Sequence, residues 1–178
     1  SEAEYTAVEV TENPYTVTDL IPATPYNAYL VADCSGELSG ASSSVSFRTQ
    51  CAAVDEYPYF QSFEVSSFTD ICWSTAVESG YDNWGITSWP IGDDVYPIDG
   101  SKMAKITYTS AVTRLLTPKF NLTELSNPYL KFSYLNPVWS GTGEHIIVQY
   151  KASEESTWTD LMSITTPHDN WVTDSVAL

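Results

Sequence analysis

Short apolar runs alternate with polar residues along this chain, and no stretch sustains a 3.6-residue apolar period. The pattern predicts strands. Tyr15-Thr16-Val17-Thr18 is a first short β-rich run. Pro22 and Pro25 then forbid a central strand between Leu20 and Tyr26. From Tyr26, the positions Tyr26, Ala28, Leu30 and Ala32 alternate with Asn27, Tyr29 and Val31, the period of a half-buried strand. A Ser/Gly-rich loop is expected over Ser35 to Ser43, and Val45 to Thr49 reads as the returning strand of a hairpin.

Residues 51–59 read as a linker, with Pro58 and the acidic pair Asp55-Glu56. Beyond it, strands are expected at Ala104 to Tyr108, Thr113 to Leu116, Tyr129 to Leu135, Ile146 to Lys151 and Trp158 to Leu161. Short strands separated by turn signals at this spacing indicate a β-sandwich. The expected fold class is all-β, with domains at 1–50 and 60–178.

Leu20, Pro22, Thr24 and Tyr26 match the L-x-P-x-T-x-Y corner of a fibronectin type III domain, and Ser46-Phe47-Arg48-Thr49 matches its closing strand. Residues 1–50 therefore resemble the last three strands of that fold. The resemblance implies that Tyr26 is a corner tyrosine whose hydroxyl bonds back to nearby backbone. A whole domain of this class takes about 100 residues, so the expectation is a partial fibronectin type III sandwich.

The second unit resembles the jelly-roll modules of the MAM, cleaved-adhesin and choice-of-anchor type. The resemblance rests on Phe63-Glu64 and Cys72-Trp73, on Gly100-Ser101-Lys102-Met103-Ala104, and on Leu116-Thr117-Pro118 leading to Leu122. It continues through Leu130-Lys131-Phe132-Ser133-Tyr134, Val148-Gln149-Tyr150-Lys151, Thr157 to Leu161, and Trp171. Such modules occur in secreted and surface-attached proteins, and the pairing with a type III unit is familiar in surface proteins of Bacteroidota-like bacteria. They carry further closing strands after the point matching Leu178, so both units are expected to be incomplete. The chain, which begins Ser1-Glu2, is then expected to be a fragment of a larger surface or secreted protein. Other segments or chains would complete its sheets, because bare edges invite aggregation.

Composition narrows the partners. The chain has 178 residues, with 23 acids against 7 bases and a net charge of −16. So negative a surface repels phosphate backbones and anionic headgroups, which argues against nucleic acid as a partner. With no run of 18 apolar residues, no transmembrane helix and no membrane insertion are expected. Scarce Lys and abundant Ser, Thr, Tyr and Trp suit an extracellular or cell-surface location.

The cysteines Cys34, Cys51 and Cys72 form no C-x-x-C pair. If the Tyr26 and Val45 strands pair, Cys34 lies at the turn end and Cys51 at the opposite end, roughly 20 Å apart at about 3.3 Å per residue. A disulfide needs Cα atoms within about 7 Å. Cys51–Cys72 is the pairing this geometry favours, and three unpaired thiols are the alternative.

Hard oxygen ligands are plentiful: Glu64, Asp70, Asp82, Asp93, Asp94 and Asp99. No EF-hand loop is present. The jelly-roll resemblance implies a structural Ca²⁺ held by the Glu of Phe-Glu, here Glu64, with Asp99 as a second candidate. Solvated loop positions are the plain alternative for all of these acids.

Aromatic residues supply the candidate ligand site. Tyr81, Asp82, Trp84, Trp89 and Tyr96 lie close together in sequence, and Trp139 marks a second aromatic loop. A carbohydrate site needs a flat aromatic face and carboxylate or amide partners for hydroxyls, and this region offers both. Core or edge packing is the commoner role of tryptophan and competes with ligand contact at Trp84 and Trp89. Trp73, Trp158 and Trp171 are expected to cap the core.

No G-x-S-x-G occurs, and the two histidines, His145 and His168, read as loop residues, so no catalytic residues are assigned and an enzyme is not expected. Asn121-Leu122-Thr123 is a glycosylation sequon, and Asp174-Ser175-Val176 resembles a short acidic O-glycosylation motif. The function expected is a non-catalytic extracellular adhesion module that binds a glycan or surface protein. The alternatives are a structural spacer or accessory subunit of a surface complex, and an accessory domain of a secreted hydrolase or protease.

Overall fold

A computed structural model describes residues 5–92, 94–106, 111–138 and 145–178. Trp139, Asp93 and the end of the strand expected through Tyr108 lie outside the described residues. The protein is all-β. Its described strands pair antiparallel in two-stranded sheets, and its only described helical element is one 3-10 turn, Phe68–Ile71. Among the described residues no helix is long and apolar enough to cross a membrane. The chain divides into two compact units, Ser1–Ala52 and Ala53–Leu178.

In the first unit, β1 (Pro25–Ala28) pairs with β4 (Val45–Arg48), aligning Tyr26 with Phe47. Their rings stack at 5.9 Å. The Tyr26 hydroxyl accepts a 3.0 Å bond from the Ile21 amide, which closes the corner that Pro22 and Ala23 turn. Thr49 locks the same corner, its Oγ1 donating to the Ile21 carbonyl and accepting from the Thr24 amide.

The alternating strand expected through Ala32 stops at Ala28 and resumes as β2 (Asp33–Cys34), paired with β3 (Glu37–Leu38). Between them, serine hydroxyls replace ladder carbonyls. Leu30 N donates to Ser42 Oγ at 3.0 Å and Ala32 N to Ser39 Oγ at 2.9 Å. The presumed Ser/Gly loop is therefore partly a continuation of the hairpin. Ser35 and Gly36 both take positive φ, the signature of a type I′ turn. Tyr15 to Thr18 forms no strand, a correction to the pattern reading; β propensity alone cannot build a strand without a ladder partner.

Cys34 lies in β2, at the turn, as a free and exposed thiol, whereas Cys51 and Cys72 are disulfide-bonded.

In the second unit, the chain from Ala53 is anchored rather than loose. Val54 bridges Phe120 in parallel, and the Tyr57 hydroxyl bonds the carbonyls of Val54 and Asn121 at 2.8 Å each. Tyr57 and Tyr59 pack on Phe120, and Phe63 packs edge-on against Phe68 and Trp73. Trp73 Nε1 donates to the Tyr59 hydroxyl at 2.9 Å, so the half-buried indole keeps a satisfied polar end.

Four ribbons follow. β5 (Ser74–Ser79) pairs with β8 (Val112–Leu116), and β6 (Gly85–Thr87) with β7 (Met103–Lys105). β10 (Ile146–Tyr150) pairs with β11 (Thr159–Ile164), and β9 (Tyr129–Asn136) with β12 (His168–Ala177). Along β9 the alternation turns Leu130, Phe132, Tyr134 and Asn136 inward and leaves Tyr129 and Lys131 exposed.

Trp158 is half-buried, with the Arg114 guanidinium at 5.1 Å and the Lys151 ammonium at 5.2 Å from its ring centroid. Arg114 also pairs with Glu78 and donates to Gln149. Trp171 Nε1 donates to the Tyr96 carbonyl at 2.8 Å. His168 is not a loop residue: it opens β12, half-buried, with its ring edge-on to Tyr134.

Candidate ligand-binding face of the second unit

The segment from Gly80 to Lys102 is built of turns around two short strands. Gly80, at φ +85°, passes so close to Ala111 that an added Cβ would sit 2.6 Å from the Ala111 Cβ. Asn83 ties the next loop down. Its Nδ2 donates to Thr75 Oγ1 at 2.7 Å, and its Oδ1 accepts from the Trp84 amide and from Thr113 Oγ1. Thr87 Oγ1 accepts from the Trp89 amide at 3.0 Å, which bends the chain out of β6. Ile91 and Val95 then close a small bridge.

The loop at Gly100 to Lys102 is organised by Glu64. Oε1 accepts from the amides of Ser101 and Lys102 at 2.7 and 2.6 Å, and Oε2 accepts from Ser101 Oγ at 2.6 Å. The Ser101 hydroxyl first, then the two amides and the Lys102 charge, hold the Glu64 carboxyl below its ordinary value, slightly opposed by desolvation. Gly100 is required here: its φ is +63°, and a Cβ would lie 2.5 Å from Glu64 Oε1.

This geometry bears on calcium. Glu64 already serves three donors, and the Lys102 ammonium, bonded to the Val65 carbonyl at 2.9 Å, adds positive charge beside it. Asp99 is exposed, one residue before the cradled loop. Among the described residues no three His, Cys, Asp or Glu side chains converge. Asp70 serves a capping box instead, accepting from the Ser67 amide at the start of the 3-10 turn.

Beside the cradle lies a shallow cleft of about 320 Å³, lined by Val65, Ser66, Ile86, Thr87, Trp89 and Lys102. Trp89 is 77% exposed, so most of its indole faces solvent at the cleft. Of the described residues expected to bind ligand, Trp89 alone lines this cleft. Tyr81 is fully exposed on the loop after β5, and Tyr96 is 62% exposed on the far side of the Ile91–Val95 bridge. Trp84 is half-buried, and its indole N–H is enclosed with no acceptor among the described residues. Asp82 lies on the exposed loop with Tyr81 and does not line the cleft.

Sequence reasoning singled out Trp89 and missed the other cleft residues, Val65, Ser66, Ile86, Thr87, Ser88 and Lys102. The cleft joins the stretch at Glu64 to one almost forty positions later, and no local pattern announces that meeting. The cleft offers an aromatic plane, hydroxyls and one ammonium, with no carboxylate among its lining residues. That set can stack on an apolar ring face and donate hydrogen bonds to hydroxyl or anionic oxygens. No known protein family, curated protein or solved structure matches the chain.

Proposed function

We propose that this chain is a non-catalytic binding module of an extracellular or cell-surface protein, with the Trp89 cleft receiving a glycan or a surface-protein side chain. The observation that carries this reading is the exposure of Trp89 over a cleft of about 320 Å³, at the lower end of the ligand-pocket range of ~300–1,000 Å³. An indole left in solvent at the rim of a cleft lined by hydroxyls and an ammonium is free to stack on a ligand whose oxygens those groups can bind. Disulfide-bonded Cys51 and Cys72 suit an oxidising compartment. The resemblance to type III and jelly-roll adhesin modules agrees with the same reading.

The test is retention on an immobilised panel of glycans and extracellular-matrix proteins. Trp89→Ala is expected to weaken retention about thirtyfold, the effect of losing a hot-spot anchor worth ~2 kcal/mol. Retention that ignores Trp89→Ala defeats the proposal.

A second reading, a spacer or accessory subunit completed by partner chains, is favoured by one observation. Leu30, Leu38 and Val45 of the first unit are all exposed, and its described strands pair only two at a time. Strand addition at such edges is a common mode of partner recognition. This reading expects no retention on any glycan and a melting temperature that rises when the partner is present.

A further inference from the structure

A second open hollow, apart from the Trp89 cleft, lies against buried residues of the second unit. It measures about 320 Å³ and lies between the β9–β12 ribbon and the end of β11. One wall is Tyr134, His168 and Asp174, and the other is Met162, Ile164 and the hydroxyl-bearing turn Thr165-Thr166. Its walls are fixed. Tyr134 is 9% and Ile164 6% exposed. Asn136 Nδ2 donates to the Thr166 carbonyl at 3.1 Å, which holds the turn.

Asp174 is the unusual member. In β12 it alternates in step with Val172 and Val176, and its register partner across the ribbon is Phe132. It therefore stands on the inward, apolar face, half-buried. Tyr134 OH donates to its Oδ2 at 2.9 Å. Among the described residues no lysine or arginine pairs with it; those ion pairs involve Glu78 and Glu154. Lys131 is adjacent in the ribbon but pairs in register with Ser175, on the outward face. A half-buried carboxylate with no described lysine or arginine paired to it gains Coulomb energy from a cation that a ligand supplies.

We propose that this hollow binds an organic cation, a guanidinium or alkylammonium group, with Asp174 as its counter-ion, the Tyr134 ring as one wall and Thr165 and Thr166 as acceptors. Carboxylate plus aromatic ring is the pairing that recognises such groups. Apolar Met162 and Ile164 suit the methylene stem that carries the charge. Burial, and then the hydrogen bond and charge of Asp174, raise the Tyr134 phenol above its ordinary value, so it stays a donor to the carboxylate. The net charge of −16 would draw cations toward the chain from a distance.

The experiment titrates the full chain with N-acetyl-arginine amide, with the matching lysine amide, and with N-acetyl-citrulline amide. Citrulline keeps the shape and loses the charge. NMR signals of Tyr134, His168 and the Met162 methyl report the site. Saturable shifts are expected with arginine or lysine amide, with citrulline at least tenfold weaker and Asp174→Asn at least tenfold weaker. A short arginine-containing peptide that binds more tightly than the amide marks a protein partner as the source of the cation. Equal affinity marks a free small molecule. Citrulline binding as well as arginine overturns the proposal. So does the absence of shifts with either cation, or saturation of the same signals by Ca²⁺ or by a neutral monosaccharide alone. The arginine–citrulline comparison uses the unaltered chain, so it decides the matter even if Asp174→Asn does not fold.

Discussion

The Trp89 segment and the β9–β12 ribbon are both rich in aromatic residues, yet they do opposite things with them. In the ribbon, β9 runs for eight residues, long enough for its pleat to bring Phe132 and Tyr134 to one face, where they turn inward together. In the Trp89 segment the strand β6 is only three residues long, and turns follow it at once. No alternation survives long enough there to gather Tyr81, Trp89 and Tyr96 on a single buried face, and all three remain exposed. The difference teaches that element length decides an aromatic residue's fate here, more than hydrophobicity does. The long strand β9 turns Phe132 and Tyr134 inward, and the turns around β6 leave Tyr81, Trp89 and Tyr96 in solvent.

The sharpest way to break that comparison is truncation within one ribbon. Ile164 of β11 is buried and Ile147 of β10 is about half exposed. Ile164→Ala is expected to destabilise by about 2–5 kcal/mol and Ile147→Ala by less than about 0.5 kcal/mol in denaturant unfolding. Equal losses would show that the inward face is not the core.

Next in size is the cradle beneath the cleft. Gly100→Ala meets both a positive φ and the Glu64 carboxylate, so a loss of about 1 kcal/mol or more is expected. A melting temperature unchanged by Gly100→Ala would mean the loop is not held as described.

The smallest effect is a pH dependence. The Glu64 carboxyl is depressed in the folded state. Its contribution is therefore fully present above the unfolded carboxylate value and is lost as pH falls through the depressed one. Glu64→Gln should lower the melting temperature at pH 7, and the gap from the unaltered chain should close as the solution is acidified below the ordinary carboxylate value of 4.5. A gap that stays constant with pH would remove the carboxylate charge from the account.

Much of the ladder was legible. Period-2 runs located β4, β8, β9 and β10 to within a residue, because each carries strand-forming residues bounded by turn signals. β12 was not anticipated. His168-Asp169-Asn170 and Asp174 disfavour strands by composition, and only pairing with β9 overrides them. Asp174 also interrupts the alternation of Val172 and Val176, so its inward position cannot be read from residue type. Nor does sequence distinguish Trp84 from Trp89. What separates them is that Asn83 ties the Trp84 loop to β5 and β8, while Trp89 follows the bend at Thr87. The cradle was half legible: Glu64 stood out as a candidate ligand, but its partners Ser101 and Lys102 come from a distant loop.

The most direct test sets Trp89→Ala beside Trp84→Ala, measuring thermal melting and retention on the glycan and matrix-protein panel for each. The account predicts that Trp89→Ala loses retention with melting unchanged, and that Trp84→Ala lowers melting by several degrees. Melting lowered by Trp89→Ala with retention intact would contradict it, for Trp89 would then be a packing residue and the cleft no binding face.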